Sequence, residues 1–337
     1  MKLISDILRG LADWLGPRPS LPDYIEVHGA QCVLQPVLLR NARFYVFLLD
    51  ADGAALTDLC RKWLNPASKA DVEYYPLVNK VMVAFAPLEV TCTQKPWSEM
   101  GYSVETDGIF YVPVAAVKKV GPVRVVERIA WWIPYIFVDH PWALVTGREV
   151  YGAPKGQGHF ELPPSAEEAA HFALSTYVLP TFSPSTQSEI KRILEINRTD
   201  AGGPRGLRNA WGTARDAFDD IVKGVLGAED GKITIPGIRV IVEVLTMLAK
   251  REVPMLFLKQ FRDVADGRKA CYRALTQTMC DLVTFRGGGF LHGDYDVTLT
   301  SYASHPIAQD LGLQGTQRSK LSFYVDLDFI LGDGREV

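Results

Sequence analysis

The 337-residue chain reads as an α+β protein dominated by β-structure: a barrel-like sheet with peripheral helices and a helical insertion. Three observations predict this. Short runs rich in β-branched and aromatic residues recur in both halves of the chain. Between them, from about residue 165 to 253, the apolar residues fall at helical spacing. Strands on both sides of that stretch imply one sheet that closes across it, and closure into a barrel removes exposed edges.

The strand signals of the first half are Phe44–Leu49, Lys80–Phe85, Ile109–Val114 and the bulky run Ile129–Val138. That last run is far too short to span a bilayer and reads as a buried strand. One helix intrudes near Ala54–Trp63, where Leu56, Leu59, Cys60 and Trp63 share a face. In the insertion, helices are expected over Ser185–Ile196, about Ala210–Leu226, and Ile238–Lys250, with a polar linker at Asn197–Gly206. Strands return at Met255–Phe261, Tyr295–Leu299 and Leu321–Leu327. At the start of the chain, Leu3, Ile4, Ile7, Leu8, Leu11, Trp14 and Leu15 make an amphipathic helix, followed by a Pro- and Gly-rich link. The expected organisation is therefore residues 1–20 as N-terminal helix and linker, and 21–337 as a single barrel-like domain interrupted at about 165–253.

A net charge of -3 and a pI near 6.1 argue against nucleic acid as a partner, because phosphate binding needs concentrated basic charge. The N-terminal helix carries acids on its polar face, so docking on protein is expected rather than on a membrane. Five cysteines without a CxxC pair read as reduced thiols in a cytoplasmic protein. Six histidines without ligand spacing imply no metal, and no cofactor is expected.

The stretch with chemical content is Gly147-Arg148-Glu149-Val150-Tyr151-Gly152-Ala153-Pro154-Lys155, just beyond the Ile129–Val138 run. Burial penalises the charged form of a lysine. A neutral amine is a nucleophile that forms Schiff bases with carbonyl substrates. The bland alternative is a solvated loop lysine.

This segment resembles the active-site segment of the acetoacetate decarboxylase family, in which a Gly-Arg-Glu triplet precedes a Pro-Lys. Trp97-Ser98-Glu99-Met100-Gly101 is similar to the family's aromatic-x-Glu-x-Gly element, and Met255–Gln260, Arg268–Tyr272, Gly287–Gly293 and Ser304–Ala308 continue in the family's order. The resemblance covers about Leu38 to Leu331, without the insertion, and implies a β-barrel-like sheet. It implies that Lys155 is the Schiff-base lysine and Glu99 a pocket acid that moves protons. Three departures stand out: Gly156 replaces a second lysine, no acid is evident near Met82, and the family's early arginine matches either Arg40 or Arg43.

Arg148 could hold a substrate carboxylate or form a structural ion pair with Glu149. Tyr102 and Tyr151 are candidate pocket hydroxyls. Trp131, Trp132, Tyr135 or Phe137 is expected to wall the pocket and keep the amine uncharged. The resemblance implies a Schiff-base lyase that decarboxylates a β-keto acid, acting as a homo-oligomer on a small keto-acid substrate. The alternatives are an aldolase- or dehydratase-like enzyme on a 2-oxo acid in the same fold, or a non-catalytic binding or assembly protein.

Overall fold

The computed structural model describes residues 21–25, 32–121, 123–200, 203–217, 220–221 and 252–337, and Cys32–Val337 makes one compact unit. The N-terminal helix and the Ile238–Lys250 helix expected from the sequence lie outside the described residues. Among the described residues no helix is long and apolar enough to cross a membrane.

The chain opens with β1 (Val37–Asp50), β2 (Val72–Pro76), β3 (Lys80–Cys92), β4 (Ser103–Val120) and β5 (Val123–Val138). Between β1 and β2 the expected helix forms at Gly53–Leu59, capped by the Asp52 carboxylate accepting from the Ala55 N–H at 2.8 Å, and runs on through a wider turn to Leu64. Next come β6 (Lys155–Gln157), β7 (His159–Glu161), β8 (His171–Val178), β9 (Glu189–Arg198) and β10 (Leu207–Trp211). The remaining strands are β11 (Glu252–Arg262), β12 (Ala270–Leu291), β13 (Tyr295–Leu299), β14 (Thr316–Arg318), β15 (Leu321–Leu331) and β16 (Arg335–Glu336).

In the larger sheet the neighbours run β4-β3-β1-β15-β12-β11-β5, and β5 pairs again with β4. The path therefore returns to its start as a ring of seven strands. Every rung is antiparallel except β11 with β5, a parallel seam of two residue pairs, Met255↔Trp131 and Leu256↔Trp132. The expected closure across the middle of the chain is real, and this seam makes it.

Alternation along each strand sorts the side chains into two cores. Val46, Leu48, Met82, Ile109, Ile133, Ile136 and Phe323 belong to the inner core. Tyr45, Phe47, Phe85, Phe110, Trp132 and Phe137 face outward. There they meet the second sheet, of order β14-β13-β9-β8-β7, with Phe172 stacked on Phe85 at 5.6 Å between ring centroids.

The helical reading of residues 185–196 is overturned, because Glu189–Arg198 is a strand of this second sheet. Ile190, Ile193 and Leu194 do have helical spacing. What buries Ile193 and Leu194 together, however, is a slip in register: Leu174 pairs with Leu194 but Ser175 with Arg192. The extra residue is a bulge, which lets two consecutive side chains reach one face. Residues 165–211 thus hold three strands and one 3-10 turn, Ala166–Glu168, and among the described residues of this stretch an α-helix begins only at Ala214.

Candidate active site

The lysine motif folds as a compact turn, and its residue types follow from its geometry. His140 caps a short helix, Pro141–Thr146, by accepting from the Trp142 N–H at 3.3 Å. The helix widens into a last turn, Gly147–Tyr151, and ends at Gly152 in the left-handed region, φ 88°. A Cβ on Gly152 would lie 2.4 Å from Cα of Lys259 on β11, so this position is glycine on both counts. Pro154 then leads into β6, which pairs in parallel with β5 so that Lys155 lies beside Ile136. The Lys155 side chain runs back across Gly147, where an added Cβ would meet Lys155 Cδ at 2.5 Å.

This path carries the amine into the barrel. The Lys155 side chain is 12% exposed, and its Nζ lies 3.3 Å from Glu105 Oε1 and 3.7 Å from Asp107 Oδ1. Glu105 and Asp107 are two residues apart on β4, hence on one face, followed on that face by Ile109 and Tyr111. Glu105 Oε2 and Asp107 Oδ1 are buried with no hydrogen-bond partner. All three charged groups line a cavity of about 310 Å³ whose other walls are almost wholly apolar, among them Val46, Met82, Trp131, Ile133, Met255 and Phe323.

Burial pulls the Lys155 ammonium down, but Asp107 and Glu105 more than offset it, and its pKa stands above the ordinary lysine value. Burial pushes Asp107 up to about 7, against the pull of Lys155 and with the help of Glu105 and Asp139. The two directions agree physically: one cation can neutralise one buried carboxylate, and the second acid then prefers a proton. The expectation of an uncharged resting lysine is therefore corrected. The amine is held as an ammonium by two acids, and the group poised near neutrality is Asp107.

Glu99 lies at the surface, ion-paired with Lys95, and does not line the cavity. Tyr102 is exposed as well, with the Arg40 guanidinium 5.1 Å from its ring centroid. Arg40 pairs with Glu89 at 2.9 Å and Arg43 is exposed, so neither early arginine lines the cavity. Arg148 is exposed, and its guanidinium donates to the Lys155 carbonyl at 3.1 Å, fixing the backbone under the lysine. Tyr151 is buried against the cavity, but its hydroxyl donates to the Leu331 carbonyl at 3.1 Å. Of the expected aromatic wall, Trp131 lines the cavity, while Trp132, Tyr135 and Phe137 belong to the outer core.

Sequence reasoning passed over Glu105 and Asp107. The signal was available: Ser103-Val104-Glu105-Thr106-Asp107 puts two acids at strand spacing directly ahead of an apolar run. Among the described residues no cluster of three or more His, Cys, Asp or Glu could hold a metal ion. All five cysteines are free thiols, and burial pushes Cys60 and Cys280 up to about 12.

No protein-family model matches the sequence, and no curated protein matches it. Solved structures match in fold. Acetoacetate decarboxylase from Legionella pneumophila aligns with a TM-score of 0.55 at 16% identity, covering 97% of this chain and 95% of that one. The enduracididine biosynthesis enzyme MppR, complexed with pyruvate, gives 0.54 at 13% identity over 92% of this chain and 93% of that one. An acetoacetate decarboxylase-like enzyme from Sphingomonas wittichii RW1 gives 0.55 at 12% identity over 94% and 99%. At such identities the likeness is one of fold, and the ring of seven strands with its flanking sheet is the acetoacetate decarboxylase-like fold.

Proposed function

We propose that this protein is a Schiff-base lyase that decarboxylates a β-keto acid through an iminium on Lys155. One observation carries the reading: a single buried amine lies between two buried carboxylates at the wall of an apolar cavity. Lys155 first passes its proton to the Asp107 carboxylate, whose pKa near 7 suits it to accept and return protons at neutral pH. The neutral Nζ attacks the ketone carbon, and the carbinolamine loses water with a proton from the acid pair, leaving an iminium. The bond to the carboxylate then breaks and carbon dioxide departs; the electron pair forms a C=C bond, and the C=N π pair moves onto nitrogen, leaving a neutral enamine. Asp107, reprotonated from solvent, protonates the enamine carbon, and water then hydrolyses the resulting iminium to release the ketone and regenerate the Lys155 ammonium. Glu105 stabilises the nitrogen in its cationic forms, the ammonium and the iminium.

A second reading, an aldolase- or dehydratase-like activity on a 2-oxo acid, is favoured by the presence of two acids. Carbon–carbon condensation and dehydration both remove and add protons, and Gly156 supplies no second ammonium. Borohydride added with acetoacetate or pyruvate tests both readings. Peptide mass spectrometry should find an irreversible adduct on Lys155 that the Lys155→Arg variant lacks. Carbon dioxide release against condensation product then separates the two activities. If no oxo acid tested leaves an adduct, covalent catalysis is refuted and the non-catalytic binding protein stands in its place.

A further inference from the structure

We infer that the substrate carries a long apolar tail, an alkyl or acyl chain of about ten carbons, lying along β4 away from Lys155. The inference rests on the Schiff-base reading for the carbonyl end and on the shape of the cavity for the tail.

A cavity of about 310 Å³ has room for roughly twenty water-sized bodies, in the size range of pockets that take drug-sized ligands. A keto acid as small as acetoacetate fills only a fraction of it. The direction of the excess space is set by strand register. Asp107 and Tyr111 both line the cavity and stand four residues apart on β4, about 13 Å at strand rise. Tyr111 is paired with Met82 on β3 and meets the Trp131 ring at 6.5 Å. Trp131 is in turn the β5 partner of Met255. Met82, Tyr111, Trp131 and Met255 therefore wall the far end, four residues of β4 away from the charged end. A zigzag of about ten carbons, with C–C bonds of about 1.5 Å, spans that distance.

Two further polar lining groups are already engaged. Thr146 Oγ1 accepts from the Val33 N–H at 2.9 Å, and the Tyr151 hydroxyl donates to Leu331. Among the described lining residues, ionised groups occur only at the Lys155 end. Apart from the Tyr111 hydroxyl and the Cys280 thiol, a polar tail would be desolvated there without a side-chain partner, while each buried methylene of an apolar one contributes about fourfold in affinity.

The test uses two series on the intact protein. Straight-chain primary alcohols, which cannot form a Schiff base, displace a neutral fluorescent probe, N-phenyl-1-naphthylamine. Straight-chain 3-oxo acids of four to twelve carbons are trapped with borohydride. Alcohol affinity should rise about fourfold per CH2 up to about ten carbons and then level off, and trapping at low substrate concentration should rise with chain length. Met255→Trp, or Met82→Phe should the first not fold, should lower the plateau by two or more carbons.

A flat response in both series, or a preference for compact aryl ketones with no length trend, overturns the inference and leaves the Schiff-base chemistry standing wherever trapping occurs. A rising alcohol series with no trapping of any acid supports the tail site and refutes the lysine chemistry.

Discussion

Replacing Glu105 with glutamine tests the assignment of what holds the proton on Lys155. At 3.3 Å, and with an effective dielectric of about 20, the Glu105 carboxylate attracts the ammonium by about 5 kcal/mol. Asp107, at 3.7 Å, contributes about 4.5 kcal/mol when ionised. The Glu105→Gln variant thus loses about half of the total pull. Part of this loss returns, because Asp107 is itself held up by Glu105 and ionises more readily once that neighbour is neutral. A net loss of at least about 1.4 kcal/mol remains, and a tenfold larger fraction of free amine follows at any pH below the lysine's own titration. The assay is the rate of acylation of Lys155 by trace acetic anhydride at pH 7.5, read on the Lys155 peptide by mass spectrometry and normalised to exposed Lys62. The variant should be acylated ten times faster or more. An unchanged or slower rate would refute the argument that the carboxylates, rather than burial, set the charge of this amine.

Asp107→Asn should abolish the limb of the pH–rate profile near 7 and cut turnover by about two orders of magnitude, as loss of a general acid–base does; steady-state kinetics from pH 5 to 9 check it. The same substitution should change stability with a definite sign. Asp107 has a folded pKa of about 7 against an ordinary 3.8, so the folded state binds the proton more tightly. Its contribution is fully present below about pH 4 and is lost as pH rises through 7, so urea midpoints of the wild type should fall across that window more steeply than those of Asp107→Asn. Gly147→Ala places a methyl group 2.5 Å from Lys155 Cδ although its backbone, at φ -60°, accepts alanine; it should cut borohydride trapping at least tenfold with a Tm loss of only a few degrees. Gly152→Ala combines φ 88° with a 2.4 Å approach to the β11 backbone, and thermal melts should show a loss of about 2 kcal/mol or more.

The lysine motif was legible because its glycines, its proline and its lysine each answer to a local requirement of the turn that carries them. The strands at 44–49, 80–85, 109–114 and 255–261 were legible because short apolar runs state their own period. The acids were not matched to Lys155, because nothing local says that β4 and β6 flank β5 on opposite sides and deliver their side chains to one point. Glu99 drew attention through a motif, yet a single 3-10 turn leaves it paired with Lys95 in water. Trp131 and Trp132 could not be told apart in sequence, because they are equally bulky and only the pleat decides which one faces inward. The strand at Glu189–Arg198 was hidden by its bulge, which imitates helical spacing.

The parallel seam between β11 and β5 has a consequence for assembly of the fold. It joins segments more than 120 residues apart with two rungs, whereas β4 and β5 meet through a short hairpin with many. Pairing between distant segments carries the larger loop-closure entropy and forms slowly. β1 and β15 join still more distant segments, but through ten pairs, so the two-rung seam at Trp131 and Met255 is the join with least to hold it and the place where the interior chamber would part first.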